Sequence, residues 1–330
     1  MKLGIIFIAI TLAAGTAAGQ SAPANDALFR AIRSSDLGAV RTALWKGASP
    51  NATSADGDTP LMYAAVYSTS YCMQLLLQRG ADSNARDKRG GTALMRSVRD
   101  IDKVRLLLAA GAEVDARSAR GVTALMIAAN RPGSVDVVKL LLQFKADPTT
   151  PDAAGVPPLM YAADFGDLES VQVLVAAGAD VNTGRRNGAT PVYWAASGPL
   201  DVVVWFLAHK ADPNTTRGSA AGRTPLMEAA FFGATANVKA LLDAGANVNA
   251  TSDRGTALIW AAGSDLADAD MIRLLLERGA DPNAVATRCS RCIHEPRSDD
   301  GSTDLTALML AKQRGETEIV RMLVASGAKR

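Results

Sequence analysis

The phrase TPLMYAA at residues 59–65 returns seven more times along the chain. It reads TALMRSV (92–98), TALMIAA (123–129), PPLMYAA (157–163), TPVYWAA (190–196), TPLMEAA (224–230), TALIWAA (256–262) and TALMLAK (306–312). A degenerate copy, DALFRAI, precedes them at 26–32. Successive starts at 26, 59, 92, 123, 157, 190, 224 and 256 differ by 31 to 34 residues, and only the step to 306 is long, at 50. Self-similarity at this period demands an array of small units, none of which buries its apolar face alone.

A second phrase follows each start at a fixed delay: GASPN, GADSN, GAEVD, KADPT, GADVN, KADPN, GANVN, GADPN and GAKR. Apolar segments of helix length, such as KVRLLLAA and MIRLLLER, lie between the two phrases. In these phrases the chain resembles the ankyrin-repeat family, over essentially everything after its first two dozen residues. The resemblance implies an all-α solenoid of about nine helix-turn-helix repeats with short β-hairpin or turn fingers. The local chemistry agrees. Thr at the phrase start can cap the first helix, with Pro at N1. The Ala-Ala pair permits close helix approach, and Gly after the second helix suits the left-handed C′ position.

Two departures stand out. The family's His in T-P-L-H is here mostly Met (62, 95, 126, 160, 227, 309), which points to hairpins held more by packing. Lys145 and Lys210 replace the C′ glycine, and a lysine forced into αL costs about 1–2 kcal/mol. The terminal copies are polar, as exposed ends of an array require.

The first residues form a separate object. Met1-Lys2 precedes the apolar run Leu3–Ala14, which is short of the ~20 residues of a membrane span. Small residues follow, with cleavage-type ends at Ala17-Ala18-Gly19 and Ala22-Pro23-Ala24. This is the pattern of a secretory signal peptide over 1–24, cleaved within 18–24, leaving a solenoid over 25–330. An uncleaved anchor is the other reading, and the absence of cysteine after the run argues against a lipoprotein. The expected location is therefore periplasmic or secreted.

Lys and Arg number 35 against 33 Asp and Glu, which removes the bulk-charge argument for nucleic acid. No nucleophile elbow, zinc-protease helix or phosphate-binding loop occurs, so no enzyme and no cofactor is expected. The Asn-x-Thr sites at Asn51, Asn214 and Asn249 coincide with the repeat's own Asn.

Family resemblance implies a protein partner on the concave face of first helices and fingertips. The residue before Ala-Ala and the two after it project there. Eight of the chain's sixteen aromatics fall at those positions. The first position is often a packing residue, so Tyr63, Tyr161, Trp194 and Trp260 carry a structural reading as well. Tyr67, Phe165, Phe231 and Phe232 occupy the more exposed positions, with Arg96, Arg99 and Arg131 on the same face. Aromatics and Arg dominate interface hot spots. The candidate binding set is thus Tyr67, Arg96, Arg99, Arg131, Phe165, Trp194, Phe231, Phe232 and Trp260, in a groove basic in its N-terminal half and aromatic in its C-terminal half. The fingertip charges Asp56, Asp58, Lys88, Arg89, Arg120, Arg185, Arg186, Arg217, Arg223 and Arg254 read mainly as solvated. A monomer is expected.

The long step places an insert at 284–305, holding RCSRCIHEPRSDDG. A c-type haem site needs His directly after C-x-x-C, where Ile293 stands. Zinc needs four ligands, and Cys289, Cys292 and His294 supply three, with Glu295, Asp299 or Asp300 to complete them. A redox centre is a third alternative. The favoured reading is a local Cys289–Cys292 disulfide formed after export. The alternative function is a metal- or redox-responsive accessory protein acting through this insert. Cys72 falls at an apolar position of a second helix and reads as a core residue.

Overall fold

A computed structural model describes residues 18–185, 187–218, 222–287 and 304–329. The first seventeen residues of the expected signal peptide, Arg186, and the insert's Cys289, Cys292 and His294 lie outside them. Two compact units make up the chain, one up to Glu113 and one from Val114 on.

The first unit contains three helix pairs: α1 (Ala18–Arg33) with α2 (Leu37–Trp45), α3 (Pro60–Tyr67) with α4 (Ser70–Gln78), and α5 (Ala93–Ser97) with α6 (Ile101–Ala109). The second contains six. They are α7 (Ala124–Ala129) with α8 (Val135–Gln143), α9 (Pro158–Phe165) with α10 (Leu168–Ala176), and α11 (Pro191–Ala195) with α12 (Leu200–Ala208). They continue as α13 (Pro225–Phe231) with α14 (Thr235–Asp243), α15 (Ala257–Ala262) with α16 (Ala269–Glu277), and α17 (Ala307–Gln313) with α18 (Thr317–Ala325). One two-stranded ribbon, β1 (Ala286–Thr287) and β2 (Asp304–Leu305), closes the base of the insert with Ala286 opposite Leu305.

Each repeat is built as its residues dictate. The hydroxyls of Thr59, Thr92, Thr123, Thr224 and Thr306 accept from the amide three residues on and cap the first helices. The Leu, Met and Ala-Ala positions of the phrase are buried, as are the central apolar residues of the second helices. First helices pack on first helices and second on second within each unit, so every pair covers its neighbour's apolar side. Cys72 is a core residue at 1% exposure, and burial pushes its thiol pKa up. Extended fingers precede the first helices and touch through backbone, with the Lys88 amide on the Asp56 carbonyl (3.2 Å) and Ala153 on Arg120 (2.9 Å). The tip glycine Gly121 sits at φ +72°, where an added Cβ would meet the Ala153 amide at 2.7 Å.

The hairpins are not held by packing alone. The Asn of each second phrase reaches the next repeat with both ends of its amide. Asn214 donates to the Gly245 carbonyl (3.1 Å) and accepts from the Asn247 amide (2.8 Å). Asn51, Asn84, Asn182, Asn249 and Asn283 do the same. Asp115 has no amide hydrogen to give and makes half a rung, accepting from Asp147 (3.0 Å). Thr149 is too short, and its hydroxyl turns to Asp147 (2.7 Å) instead. Further ties cap the ends of first helices from the neighbouring repeat. The amine of Lys103, 7% exposed, donates to the Ala65 carbonyl (3.0 Å), and Asn237 donates to the carbonyls of Ala196 and Gly198.

Lys145 and Lys210 adopt φ of +68° and +65°, the left-handed geometry their C′ position demands. Replacing either with Gly relieves the Cβ strain of about 1–2 kcal/mol, less the ~0.4–1 kcal/mol of added chain entropy. The expected net gain is roughly 1 kcal/mol per site, read as a higher urea midpoint. Asp115→Asn restores the missing donor opposite the Lys145 carbonyl, as Asn182 already serves Lys210. It adds about 1 kcal/mol, measurable as slower amide exchange in α7 and α8.

Candidate functional site

In the first unit, Tyr67 ends α3 and is 45% exposed. Its ring lies 5.6 Å from that of Tyr63, and the Arg33 guanidinium sits 5.4 Å above it. Tyr63 in turn packs edge-on against Phe29 at 4.8 Å. Arg99 is exposed nearby in sequence, just past α5. Arg96, expected on the same surface, is instead clamped between two carboxylates. Its guanidinium lies 2.5 Å from Asp58 and 2.7 Å from Asp87, whose side chain is only 8% exposed. Burial alone would raise the Asp87 carboxyl. Hydrogen bonds from Arg96 and from the amides of Gly91 and Arg89 outweigh it and hold that carboxyl below its ordinary value. Arg96 therefore ties its own finger to the preceding one.

In the second unit, Phe165 (48% exposed) ends α9 and Phe232 (44%) caps α13, both open to solvent. Arg131 and Phe231 are half-buried. Trp260 is buried at 5% exposure, with its indole N–H donating to Ser252 Oγ (3.1 Å). It is a packing residue and not part of an open surface, because two arginines and the Phe231 ring cover it. Trp194 is half-buried.

Around these rings runs a feature that charge reading alone missed. Arg185 and Arg217 lie 6.0 and 5.1 Å from the Trp194 ring centre, and Arg217 lies 5.6 Å from Tyr193. Arg223 lies 3.9 Å over Trp260 and 5.5 Å from Phe231, and Arg254 is 5.0 Å over Trp260. Basic charge is thus interleaved with the C-terminal aromatics, not segregated into the other half. The fingers carry it there, because each curls back over the first helix it precedes. Tyr193, buried at the phrase's Met position, donates its hydroxyl to Glu228 (2.5 Å), which also pairs with Arg223 (3.0 Å). Burial and that carboxylate push the Tyr193 hydroxyl up to about 12, so it stays a donor. A cleft of about 370 Å³ opens here, lined among the described residues by Asn187, Tyr193, Arg217, Gly218, Gly222, Arg223 and Asp253. No group of three metal-binding side chains occurs among the described residues.

Arg96→Ala leaves two half-buried carboxylates without a countercharge. The expected cost is about 2–3 kcal/mol of stability at neutral pH, read by thermal unfolding. Asp87 titrates lower in the folded chain than unfolded, so this stabilisation is fully present above its unfolded value near ~4 and fades as pH falls through its folded value. The gap between wild type and variant therefore closes in acid.

A family model described as "Ankyrin repeats (3 copies)" matches residues 28–118, 100–185, 125–217 and 216–286, and one described as "Ankyrin repeat" matches 303–330. The "Ankyrin repeat and LEM domain-containing protein 1 homolog" of Caenorhabditis elegans is 42% identical over 78 residues. That alignment covers 23% of this chain and 11% of the relative, so the chain matches about a tenth of that protein's length. Family matches over most of the sequence, on helix pairs that each carry the phrase, place the chain in the ankyrin-repeat family.

Proposed function

We propose that this chain is an exported, non-catalytic scaffold that binds a protein partner on the faces made by the first helices and fingers within each unit. Ankyrin repeats generally serve protein–protein interaction, and the arrangement here favours that use. The carrying observation is a register. Tyr67, Phe165 and Phe232 all stand two residues after Ala-Ala, in three different repeats, and each remains 44–48% exposed. Large rings left in solvent at one equivalent position are not needed for stacking, and aromatics of this kind anchor interfaces. Arg99 and Arg131 border them in sequence position.

Export is supported by the composition of 1–24. In α1 the Asn25 side chain accepts from the Ser49 amide (2.8 Å), within the span expected to remain after cleavage. No described helix is long and apolar enough to cross a membrane. The scaffold acts as a monomer in the periplasm or outside the cell.

The test is affinity purification of the tagged mature chain from its own compartment. Tyr67→Ala, Phe165→Ala and Phe232→Ala are combined and compared with wild type. The exposed positions predict a fold retained by circular dichroism and at least a tenfold loss of the copurifying protein, about 1.4 kcal/mol or more. An unchanged partner would overturn the assignment of this face.

A further inference from the structure

The first helices of the second unit end at an edge turned away from the fingers, and four successive turns there each expose one large apolar side chain. Phe165, Leu200, Phe232 and Leu266 are 42–62% exposed, one each from the turns that follow α9, α11, α13 and α15. These turns are pressed into a continuous edge. An added Cβ on Gly166 would meet the Pro199 ring (2.5 Å), and one on Gly233 would meet the Leu266 backbone. Asn237 ties the α11 turn to α14 through the Gly198 carbonyl (2.8 Å). Two of the four side chains are rings of the proposed partner face, so the occupant of this edge rests on the chain being a protein-binding scaffold.

Charge on the same turns has one sign. Residues 164–169, 197–201, 231–236 and 263–270 contain seven carboxylates and no Lys, Arg or His. Asp167 and Asp268 cap α10 and α16. Glu169, Asp265 and Asp270 meet cations from outside these turns, namely Lys139 (2.7 Å), Arg314 (2.6 Å) and Arg273. The Asp201 carboxylate accepts only from the adjacent Val202 amide (2.9 Å), and no described group bonds to that of Asp164. Desolvation pushes the Asp164 carboxyl above its ordinary value, with no cation to offset it. Lys239, in the second turn of α14, is held by Asp243 (3.1 Å). Arg131 and Lys312 stand one repeat before the row and one after it. The row as a whole is negative on a chain that is close to neutral.

The backbone decides the kind of segment that fits. An extended strand binds through main-chain hydrogen bonds, and the carbonyls of these turns are largely taken. Asn237 uses those of Ala196 and Gly198, Ser264 that of Phe231, and Arg314 that of Gly263. A helix satisfies its own backbone and presents only side chains. Its face returns every seven residues, about 10.5 Å along the axis, and adjacent repeats are spaced by about 10 Å. One heptad position therefore meets successive turns, with its neighbours on the helix placed beside the carboxylates.

We infer that this edge binds a basic amphipathic helix of the protein partner, with one apolar residue per heptad seated among Phe165, Leu200, Phe232 and Leu266, and Lys or Arg set against Asp164 and Asp201. An anionic lipid surface is the less favoured occupant, because the carboxylates repel it.

Fluorescence anisotropy on the full mature chain tests the inference, using a labelled Ala-rich peptide of about four heptads, each with one Leu and Lys at adjoining helical positions. Comparison probes are the peptide with Glu for Lys, a scrambled peptide of the same composition, and phosphatidylglycerol vesicles read by co-sedimentation. The Lys peptide should bind best and weaken as salt rises. Leu200→Ala and Leu266→Ala should each reduce its affinity about 3–10-fold. Asp164→Asn combined with Asp201→Asn should reduce it by a similar factor and flatten the salt dependence. Tyr71→Ala and Asp56→Asn, exposed in the first unit, should leave it unchanged. Circular dichroism of each variant confirms that the fold is retained. The inference fails if the Lys peptide does not bind, if another probe binds as well, or if the edge variants match the first-unit controls. A dimer of the chain alone in sedimentation velocity, dissociated by the leucine replacements, would give the edge to a second copy and equally overturn it. Should it fail while the aromatic replacements still release the copurified partner, protein binding stands and only the basic-helix class falls.

Discussion

Helices of five to nine residues, which is what nearly every repeat here supplies, do not survive alone in water, where isolated helices below about 12–15 residues are marginal. Everything else in this molecule depends on the remedy, which is burial of each pair's apolar side by the pair beside it. That dependence explains the monotony of the buried positions. Leu61, Leu94 and Leu125, or Leu159, Val192 and Leu226, meet the same requirement in successive copies. It also explains where variety is permitted. The residues two places after Ala-Ala contribute little to stacking, so the exposed rings of Tyr67, Phe165 and Phe232 are tolerated there.

The repeat count, the capped helix starts and the left-handed lysines could all be read in the sequence, because each is a local matter of a few residues. Cys72 was legible from the apolar side of its own helix, although the equivalent position holds Lys103, Ser170 and Asn237 in other copies as well as Val137 and Val202. The finger chemistry was not. Arg96 meets Asp58 38 residues earlier in the chain, and Tyr193 meets Glu228 35 residues later. Such pairs depend on how a finger curls over a helix, which no local pattern encodes. A usable signal existed in the repeat itself, namely a charge on one finger and its complement about one period away. The packing of Trp260 escaped for a related reason, since its phrase position suits either a core ring or a surface one.

The replaced histidine shows a substitution whose expected consequence was only partly realised. Met fills the His position in six copies and is mostly buried there. Yet inter-repeat hydrogen bonding persists, transferred to the second phrase's Asn, to Lys103 and Asn237, and to backbone contacts between fingers. Loss of one bonding group has not left the hairpins to packing alone.

The defects in the asparagine series are not scattered. Asp115 with its half rung, strained Lys145, and Thr149 with none all border α7 and α8. Missing side-chain caps do not follow that pattern, since α8 and α9 lack them and so do α11, α12, α14, α15 and α18. The bond from Arg117 to the Pro151 carbonyl (2.7 Å) compensates only in part. In an array whose stability is a sum of units and nearest-neighbour interfaces, clustered weak terms set the order of unfolding. The second unit is thus expected to loosen first at its N-terminal repeat, where two successive asparagine rungs are incomplete.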